Sequence, residues 1–271
     1  IHERLVGSEM CIRDRNVYAN WGKGFETPTL AEASYTLDNN SIKGLFNTGL
    51  LASRSQHTEA GVKWTTSPAT RIDAALFRIT TENEIVTLRS SAGKTVFKNA
   101  AKTLREGAEL SWQNEWTSQW RSQLSLAMLR AQYDENFMSG STPIAAGNRM
   151  PGIPEQQLYA SLQWADQGFA SKANPRPMGW SASTDWVARS AFWANDLNDA
   201  DAHVSGGGQL NLRVRHRSVW GSLRAEVWAG VDNLTDNTTV GSVIVNQAAK
   251  QFFEPGLPRN WMAGVKVSVP L

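Results

Sequence analysis

The feature that most restricts the fold of this chain is a two-residue alternation of apolar and other side chains over long segments. Leu223, Ala225, Val227, Ala229 and Val231, for example, occupy every second position of one segment. Successive side chains of a β-strand point to opposite faces of the sheet, so the pattern predicts strands with one apolar face. Several segments are longer than the strands usual in soluble domains, and they match the ~9–11 residues of a tilted strand that crosses a bilayer.

Ten such segments follow one another, at 16–23, 55–66, 70–82, 103–116, 119–134, 156–166, 178–193, 205–216, 220–234 and 259–271. Tight turns at 67–69, 117–118 and 217–219 and a longer polar, Pro-containing turn at 167–177 alternate with long polar segments at 24–54, 83–102, 135–155, 194–204 and 235–258. Short periplasmic turns and long external loops are typical of membrane barrels. The predicted fold class is all-β: an antiparallel up-and-down transmembrane β-barrel fragment of about ten strands.

The tryptophans support this interpretation. Half of the 12 tryptophans lie within a few residues of a short turn: Trp64, Trp116, Trp120, Trp164, Trp180 and Trp220. In a soluble β core we would expect tryptophan near the middle of strands. Clustering at one end predicts instead an aromatic girdle at one membrane interface.

The first fifteen residues differ in character from the rest. Residues 5–15 (LVGSEMCIRDR) look like translated sequencing-adaptor DNA, and they contain Cys11, the single cysteine. We therefore predict that 1–15 is non-native and that 16–271 is the barrel portion; the alternative is a genuine, frayed N-terminal arm. Segment 1–15 has no apolar stretch or cleavage site typical of a secretory signal.

Composition excludes several classes of function. The net charge of +2 does not favour a nucleic-acid binder, and no apolar run is long enough for a transmembrane helix. The four histidines share no metal-ligand spacing, and no nucleophile or phosphate-binding motif is present. We expect no enzyme activity, no catalytic residues, no metal and no cofactor.

Five segments in order along the chain carry a resemblance to a known family. They are residues 18–28 (YANWGKGFETP), 59–63 (EAGVK), 97–109 (FKNAAKTLREGAE), 151–154 (PGIP) and 231–236 (VDNLTD). Together they resemble the C-terminal half of a TonB-dependent outer-membrane receptor. Residues 241–246, 253–255 and 258–260 are similar to the ferric-siderophore branch and to a branch that imports pyrroloquinoline quinone.

The resemblance implies a receptor of the bacterial cell outer membrane for TonB-dependent active uptake of a ferric siderophore or similar chelate. Uptake of another scarce cofactor such as pyrroloquinoline quinone, or a passive porin or structural barrel, are the alternatives. The implied partners are the chelate, outer-membrane lipid, the barrel-assembly machinery and the TonB–ExbB–ExbD complex, the last through an N-terminal region missing here.

Two departures from the family pattern qualify this expectation. The family ends on an aromatic residue, whereas this chain ends on Pro270 and Leu271. The family barrel has 22 strands and encloses a plug domain. We therefore expect the last ten strands without the plug, an open sheet with two unpaired edges that does not transport alone.

Two sets of side chains are the predicted functional residues. Strand parity turns one set towards the lumen, where the family holds its plug: Glu59, Lys63, Glu109, Arg121, Arg213, Arg215, Glu226 and Lys266. Simple solvation of a polar interior is the alternative for that set. The second set lies near the lumen rim on the long-loop side and would suit an anionic, ring-bearing ligand: Phe25, Arg105, Gln157, Tyr159, Arg189, Trp193 and Arg259.

Overall fold

The computed structural model describes residues 6–12, as backbone, together with residues 14–170, 174 and 177–269. It contains one large antiparallel sheet in which neighbours along the chain are neighbours in space. Its strands are β1 (Val6–Ile12), β2 (Arg15–Glu26), β3 (Ser53–Ser67), β4 (Thr70–Glu82), β5 (Lys102–Glu115), β6 (Trp120–Tyr133), β7 (Gln156–Ala165), β8 (Gly179–Arg189), β9 (Gly207–Trp220), β10 (Leu223–Asp232) and β11 (Asn260–Ser268). The predicted all-β, up-and-down fold is confirmed, and β1 and β11 are the edges.

The sheet has one strand more than we expected, because β1 comes from the segment predicted to be non-native. Val6 to Ile12 pair with Trp21 to Arg15 of β2. An edge strand offers unpaired N–H and C=O groups to any extended segment, so this pairing does not depend on the origin of its sequence. The non-native origin of 1–15 stays a prediction, and residues 1–5 and 13 lie outside the described part.

The turn predicted at 217–219 is wrong. β9 and β10 continue to Trp220 and Leu223 and are joined by Gly221 and Ser222, with Gly221 at a φ of +61°. A two-residue hairpin with a positive φ suits the twist of the strands. Arg217, from the predicted turn, lies in the ladder, and its Nε is 2.7 Å from a carboxylate oxygen of Glu226.

The long connections contain strands of their own. Each carries a small hairpin: Thr36–Asp38 with Ser41–Lys43, Ile85–Ser91 with Lys94–Asn99, Phe137–Ser139 with Thr142–Ile144, Phe192–Trp193 with His203–Val204, and Val240–Val243 with Phe253–Pro255. The strand predicted over 178–193 therefore ends at Arg189, and Trp193 belongs to a loop. The predicted turn over 167–177 lies partly outside the described residues. No helix in the described ranges is long and apolar enough to span a membrane.

The main packed core lies at the base of these loops. It consists of Ala100, Ala131, Tyr133, Ile144 and Met150, all nearly inaccessible. The sheet itself presents two open faces. Apolar side chains on the outward one, such as Leu76 and Val265, are 65% and 69% exposed. This distribution is expected of a sheet whose outer face contacts lipid and whose inner face lines a lumen.

All six tryptophans of the predicted girdle lie near the short turns on the outward face, and neighbours on that face contact several of them. The Trp120 and Trp164 rings are 6.5 Å apart, and the Arg15 guanidinium lies 4.6 Å from the Trp64 ring. Trp112, which we had not assigned to the girdle, packs edge-on at 5.7 Å from Trp116. The structure thus extends the aromatic row by one residue.

A glycine makes room for an inward tyrosine on β2 and β3. A Cβ on Gly61 would lie 2.5 Å from the Tyr18 ring, whose hydroxyl donates a 2.6 Å hydrogen bond to Glu59. Gly61→Val should displace the ring and destabilise the folded protein, reducing the free energy of unfolding by about 1–3 kcal/mol. The measurement is the folded, heat-modifiable fraction on a gel. Gly44→Val, where no atom lies within 4 Å, is the control; an equal loss in both variants would contradict the role of the Tyr18 contact.

Candidate functional site

A large cavity lies between the inward face of β2–β9 and the loop that precedes β11. Its volume is about 1180 Å³, and its polar lining includes Tyr18, Lys63, Asp73, Glu109 and Gln157. The loop contributes residues 238–241 and 253–257 as a partial roof. Ligand sites are usually concave spaces of ~300–1,000 Å³ with a few polar groups, so this cavity is large enough for a chelate-sized molecule.

Three of the seven predicted rim residues line this cavity: Gln157, Tyr159 and Arg189. The Tyr159 hydroxyl donates a hydrogen bond of 2.8 Å to Asp185. Arg189 donates to the carbonyl of Val240, and its guanidinium lies 5.0 Å from the Phe192 ring. Arg189 therefore ties the roof to the end of β8.

The other four rim residues do not line the cavity. Phe25 shares the outward face of β2 with Trp21, since both positions have the same parity. Arg105 is bound by the carboxylate of Glu84, with one contact of 2.7 Å. The structure does not bring these two residues to this cavity, and their contact with a ligand stays a prediction.

Two further rim residues also form contacts between loops. The Trp193 ring packs edge-on against His203 at 5.4 Å. Arg259 donates through its backbone N–H to Asp236 at 3.0 Å and lies 3.3 Å from the same carboxylate through its guanidinium. These side chains hold loops together in this structure, and their contact with a ligand stays a prediction.

An asparagine in the VDNLTD motif shapes the roof loop. Asn233 is 1% exposed and has a φ of +52°. Its side chain accepts from the N–H of Asn237 at 3.0 Å and donates to the carbonyl of Asn237 at 2.8 Å. Its own N–H donates to the side chain of Asn211 on β9. Sequence reasoning used the motif only as a family marker; its function in this structure is to turn the chain from β10 into the loop.

A buried aspartate connects four loops above the sheet through its carboxylate and its backbone. Asp196 accepts a hydrogen bond of 2.7 Å from the Tyr133 hydroxyl and one of 3.1 Å from the Lys98 ammonium. The Asn246 side chain accepts from the Asp196 N–H at 3.1 Å, and Asn148 donates to the Asp196 carbonyl at 2.9 Å. Burial lowers the pKa of Lys98, and the adjacent carboxylate counteracts this effect. We call these five residues the loop knot.

The lumen walls differ in charge. On β3–β5, the carboxylates Glu59, Asp73 and Glu109 accompany two cations: Lys63, whose ammonium lies 5.5 Å from the Tyr18 ring, and Arg71, which pairs with Asp73 at 2.9 Å. We call these five residues the acidic wall. All of them lie on the inward face that was predicted from strand parity.

The opposite wall is mostly basic. Glu226 of β10 accepts from Arg217 at 2.7 Å, lies 3.2 Å from Arg215 and is opposite Lys266 of β11. Arg213 pairs with Asp232 at 2.5 Å. These groups on β9–β11 are the basic wall, and Arg121 of β6 pairs with Glu115 at 2.8 Å on the same inward face. Within the described ranges, no group of three His, Cys, Asp or Glu side chains is placed to hold a metal.

A meander of long strands with an aromatic outer belt and a charged inner face defines the class of outer-membrane β-barrels. Over residues 12–234 the sequence matches the family described as "TonB dependent receptor-like, beta-barrel". The chain belongs to this family, whose members are receptors of the bacterial outer membrane and not enzymes.

Solved structures with the same fold include the ferric-catecholate import receptor Fiu of Escherichia coli K12. It is 20% identical with a TM-score of 0.65 and matches 96% of this chain and 34% of its own. The ferric preacinetobactin receptor BauA of Acinetobacter baumannii is 18% identical, with a TM-score of 0.68 and coverage of 97% and 36%. The copper transporter OprC is 18% identical, with a TM-score of 0.69 and coverage of 98% and 39%. The chain thus spans little more than a third of the proteins it matches.

Asp196→Ala should loosen the loop knot. The change leaves the Lys98 ammonium, 11% exposed, without its carboxylate, which should cost about 3 kcal/mol of local stability. We expect faster trypsin cleavage after Lys98 and Arg149 while the sheet stays folded. Asp201→Ala, which breaks only the exposed pair with Lys250, is the control. Unchanged cleavage of the Asp196 variant would show that the loops are held by other contacts.

Proposed function

We propose that this chain is the C-terminal wall and loop region of a receptor that takes up a ferric siderophore or similar chelate by TonB-dependent transport. The observation that carries the proposal is the roofed cavity, which joins the external loops to a polar lumen. Fiu and BauA, which share this fold, are receptors for ferric chelates, and this supports the proposed cargo. The copper transporter OprC has the same fold, so the fold alone does not select the cargo.

The ligand contacts in this proposal are Gln157 and Tyr159, with Arg189 as the residue that positions the roof. Gln157 and Tyr159 project from β7 into the cavity, and Arg189 lies opposite Gln157 on β8. Amide and phenol groups donate and accept hydrogen bonds, which suits the oxygen-rich surface of a metal chelate. The Phe192 ring beside Arg189 adds an aromatic surface at the same edge.

The inward charges are proposed contacts of a plug domain. An acidic wall on one side and a basic wall on the other would orient a plug whose surface carries the complementary charges. Glu59 and Glu109 would meet basic groups of the plug and Lys63 an acidic group, whereas the basic wall of β9–β11 would meet a mainly acidic surface. Arg121, between the two walls, is already paired with Glu115 and is proposed to act at the plug edge.

The remaining partners of the proposal act outside the described residues. Energy would come from the TonB–ExbB–ExbD complex through an N-terminal region, and insertion would depend on the barrel-assembly machinery. Residues 1–15 are proposed to be non-native and 16–271 to be the receptor portion. Uptake of pyrroloquinoline quinone and passive diffusion through a porin or structural barrel are the alternatives that the following experiment distinguishes.

The full-length receptor should lose chelate affinity when the β7 contacts are removed. Gln157→Ala combined with Tyr159→Phe should weaken binding about tenfold, since each lost hydrogen bond contributes about 0.5–1.5 kcal/mol. Radioiron uptake and binding would be measured with one purified ferric catecholate and one ferric hydroxamate. Gln163→Ala, at the periplasmic end of the same strand, is the matched control.

Two outcomes of that measurement would contradict the proposal. Uptake that persists in cells without TonB would indicate a passive barrel. Uptake of pyrroloquinoline quinone with no binding of either iron chelate would assign the receptor to the cofactor branch. Equal binding by the β7 double variant and the control would remove Gln157 and Tyr159 from the site while leaving the cargo unchanged.

A further inference from the structure

The external end of the roofed cavity has little uncompensated positive charge. Among the described residues, the lysines and arginines that line the cavity are Lys63 and Arg189. Lys63 precedes the girdle residue Trp64 and therefore lies at the periplasmic end of β3. Arg189 lies at the external end, where its guanidinium is bound to the Val240 carbonyl and packed on the Phe192 ring. A ligand that enters from the loops thus meets one cation, which already has a partner.

The negative charge at the same end is also bound. Glu254, in the roof, accepts a hydrogen bond from the Ser242 hydroxyl. The other two carboxylates of the lining, Asp73 and Glu109, belong to the acidic wall, which is the proposed contact of the plug. The external end of the cavity therefore has one cation and one carboxylate in its described lining, and their formal charges cancel.

Cations around the loop bases are paired as well. Each has a carboxylate partner: Arg105 with Glu84, Arg149 with Glu155, Arg259 with Asp236, and Lys98 with Asp196. A cation that holds a carboxylate must give up or share that partner before it binds an anionic ligand, and this reduces the gain from the new contact. The arginines for which the sequence predicted an anionic ligand are thus already occupied by groups of the protein.

Uncharged groups dominate the external end instead. Gln157 exposes its side-chain amide there, and the Gln209 amide donates a hydrogen bond of 3.1 Å to the Thr239 hydroxyl. Three apolar side chains of the same lining remain 48%, 43% and 72% exposed: Val187, Phe253 and Leu257. An apolar surface with a few uncharged polar groups binds ligands through shape and hydrogen bonds and not through ion pairs.

Hydration decides which class of chelate such a surface favours. An anion that enters the cavity loses water, and a lining without a free cation does not replace the lost interactions. An uncharged chelate loses less on entry, since its carbonyl oxygens can accept from amides and its hydrocarbon parts can cover the exposed apolar side chains.

We propose that this cavity selects a metal chelate without net charge, such as iron(III) bound by three hydroxamates, over a trianionic chelate such as iron(III) bound by three catecholates. The inference rests on the proposed function, because it names the class of chelate for the same site. It departs from the anionic ligand that the sequence suggested, because Arg105, Arg189 and Arg259 are bound within the protein.

The test measures equilibrium binding of two radioiron chelates to the purified full-length receptor in detergent. Both ligands are built on the same tripodal backbone, so that only the metal-binding groups and the net charge differ. The wild type should bind the trihydroxamate at least about tenfold more tightly than the tricatecholate. Added salt should leave the affinity for the trihydroxamate nearly unchanged, because its binding forms no ion pair that salt could screen.

A charge introduced at the external end should shift this preference. Gln157→Lys adds an ammonium group to the cavity and should raise the affinity for the tricatecholate, relative to the trihydroxamate, by about tenfold. Gln163→Lys is the matched control, since it adds the same charge on the same face of β7 but at the periplasmic end. The control should keep the wild-type ratio of affinities, and heat-modifiable migration on a gel checks that both variants are folded.

The outcomes separate this inference from the proposed function. Equal or tighter binding of the tricatecholate by the wild type would overturn the inference while leaving the uptake of a chelate in place. The same change of ratio in both lysine variants would also overturn it, because the external end would then not set the preference. Failure of the folded wild type to bind either chelate would contradict the proposed function, and the inference would fall with it.

Discussion

The structure depends on one requirement: a strand that crosses hydrocarbon must satisfy every backbone N–H and C=O through its neighbours. Here each strand from β2 to β10 pairs with the strands before and after it in the chain, and the edge strands β1 and β11 pair on one side. Both faces of the ladder then remain open, one to lipid and one to the lumen. Hydrophobic packing has its main place above the sheet, where Tyr133 and Ile144 are 0% and 2% exposed among the loops.

Strand parity could be predicted because the two faces have different solvents. The alternation located ten of the eleven sheet strands and placed residues such as Glu59 and Lys266 on the inward face. The prediction of a turn at 217–219 failed, because the strand continues there. Arg217 lies in the ladder and pairs with Glu226 of the neighbouring strand. Backbone pairing of residues 6–12 was not predictable, because an open strand edge accepts almost any extended partner.

The candidate site was harder to predict than the fold. The sequence does not distinguish an arginine that binds a ligand from one that binds a neighbouring loop. Arg105 of β5, for example, is bound to Glu84 of the preceding loop. Loops that pack together bury backbone polar groups, which must then find partners. Asn233 and the loop knot supply such partners, and no periodic pattern in the sequence reports contacts between loops this distant along the chain.

One sheet carries different surfaces on its two faces. The lumen face has an acidic wall and a basic wall, and the outward face is apolar with charged residues on some of its strands. Because neighbouring side chains alternate between faces, a substitution on β5 alters either the lumen or the lipid contact and leaves the other in place. Glu109 faces the lumen, whereas Glu106 faces outward between Arg78 and Arg130. Loops and inward positions can therefore change without altering the outward face, consistent with a fold shared by a ferric-catecholate import receptor and a copper transporter.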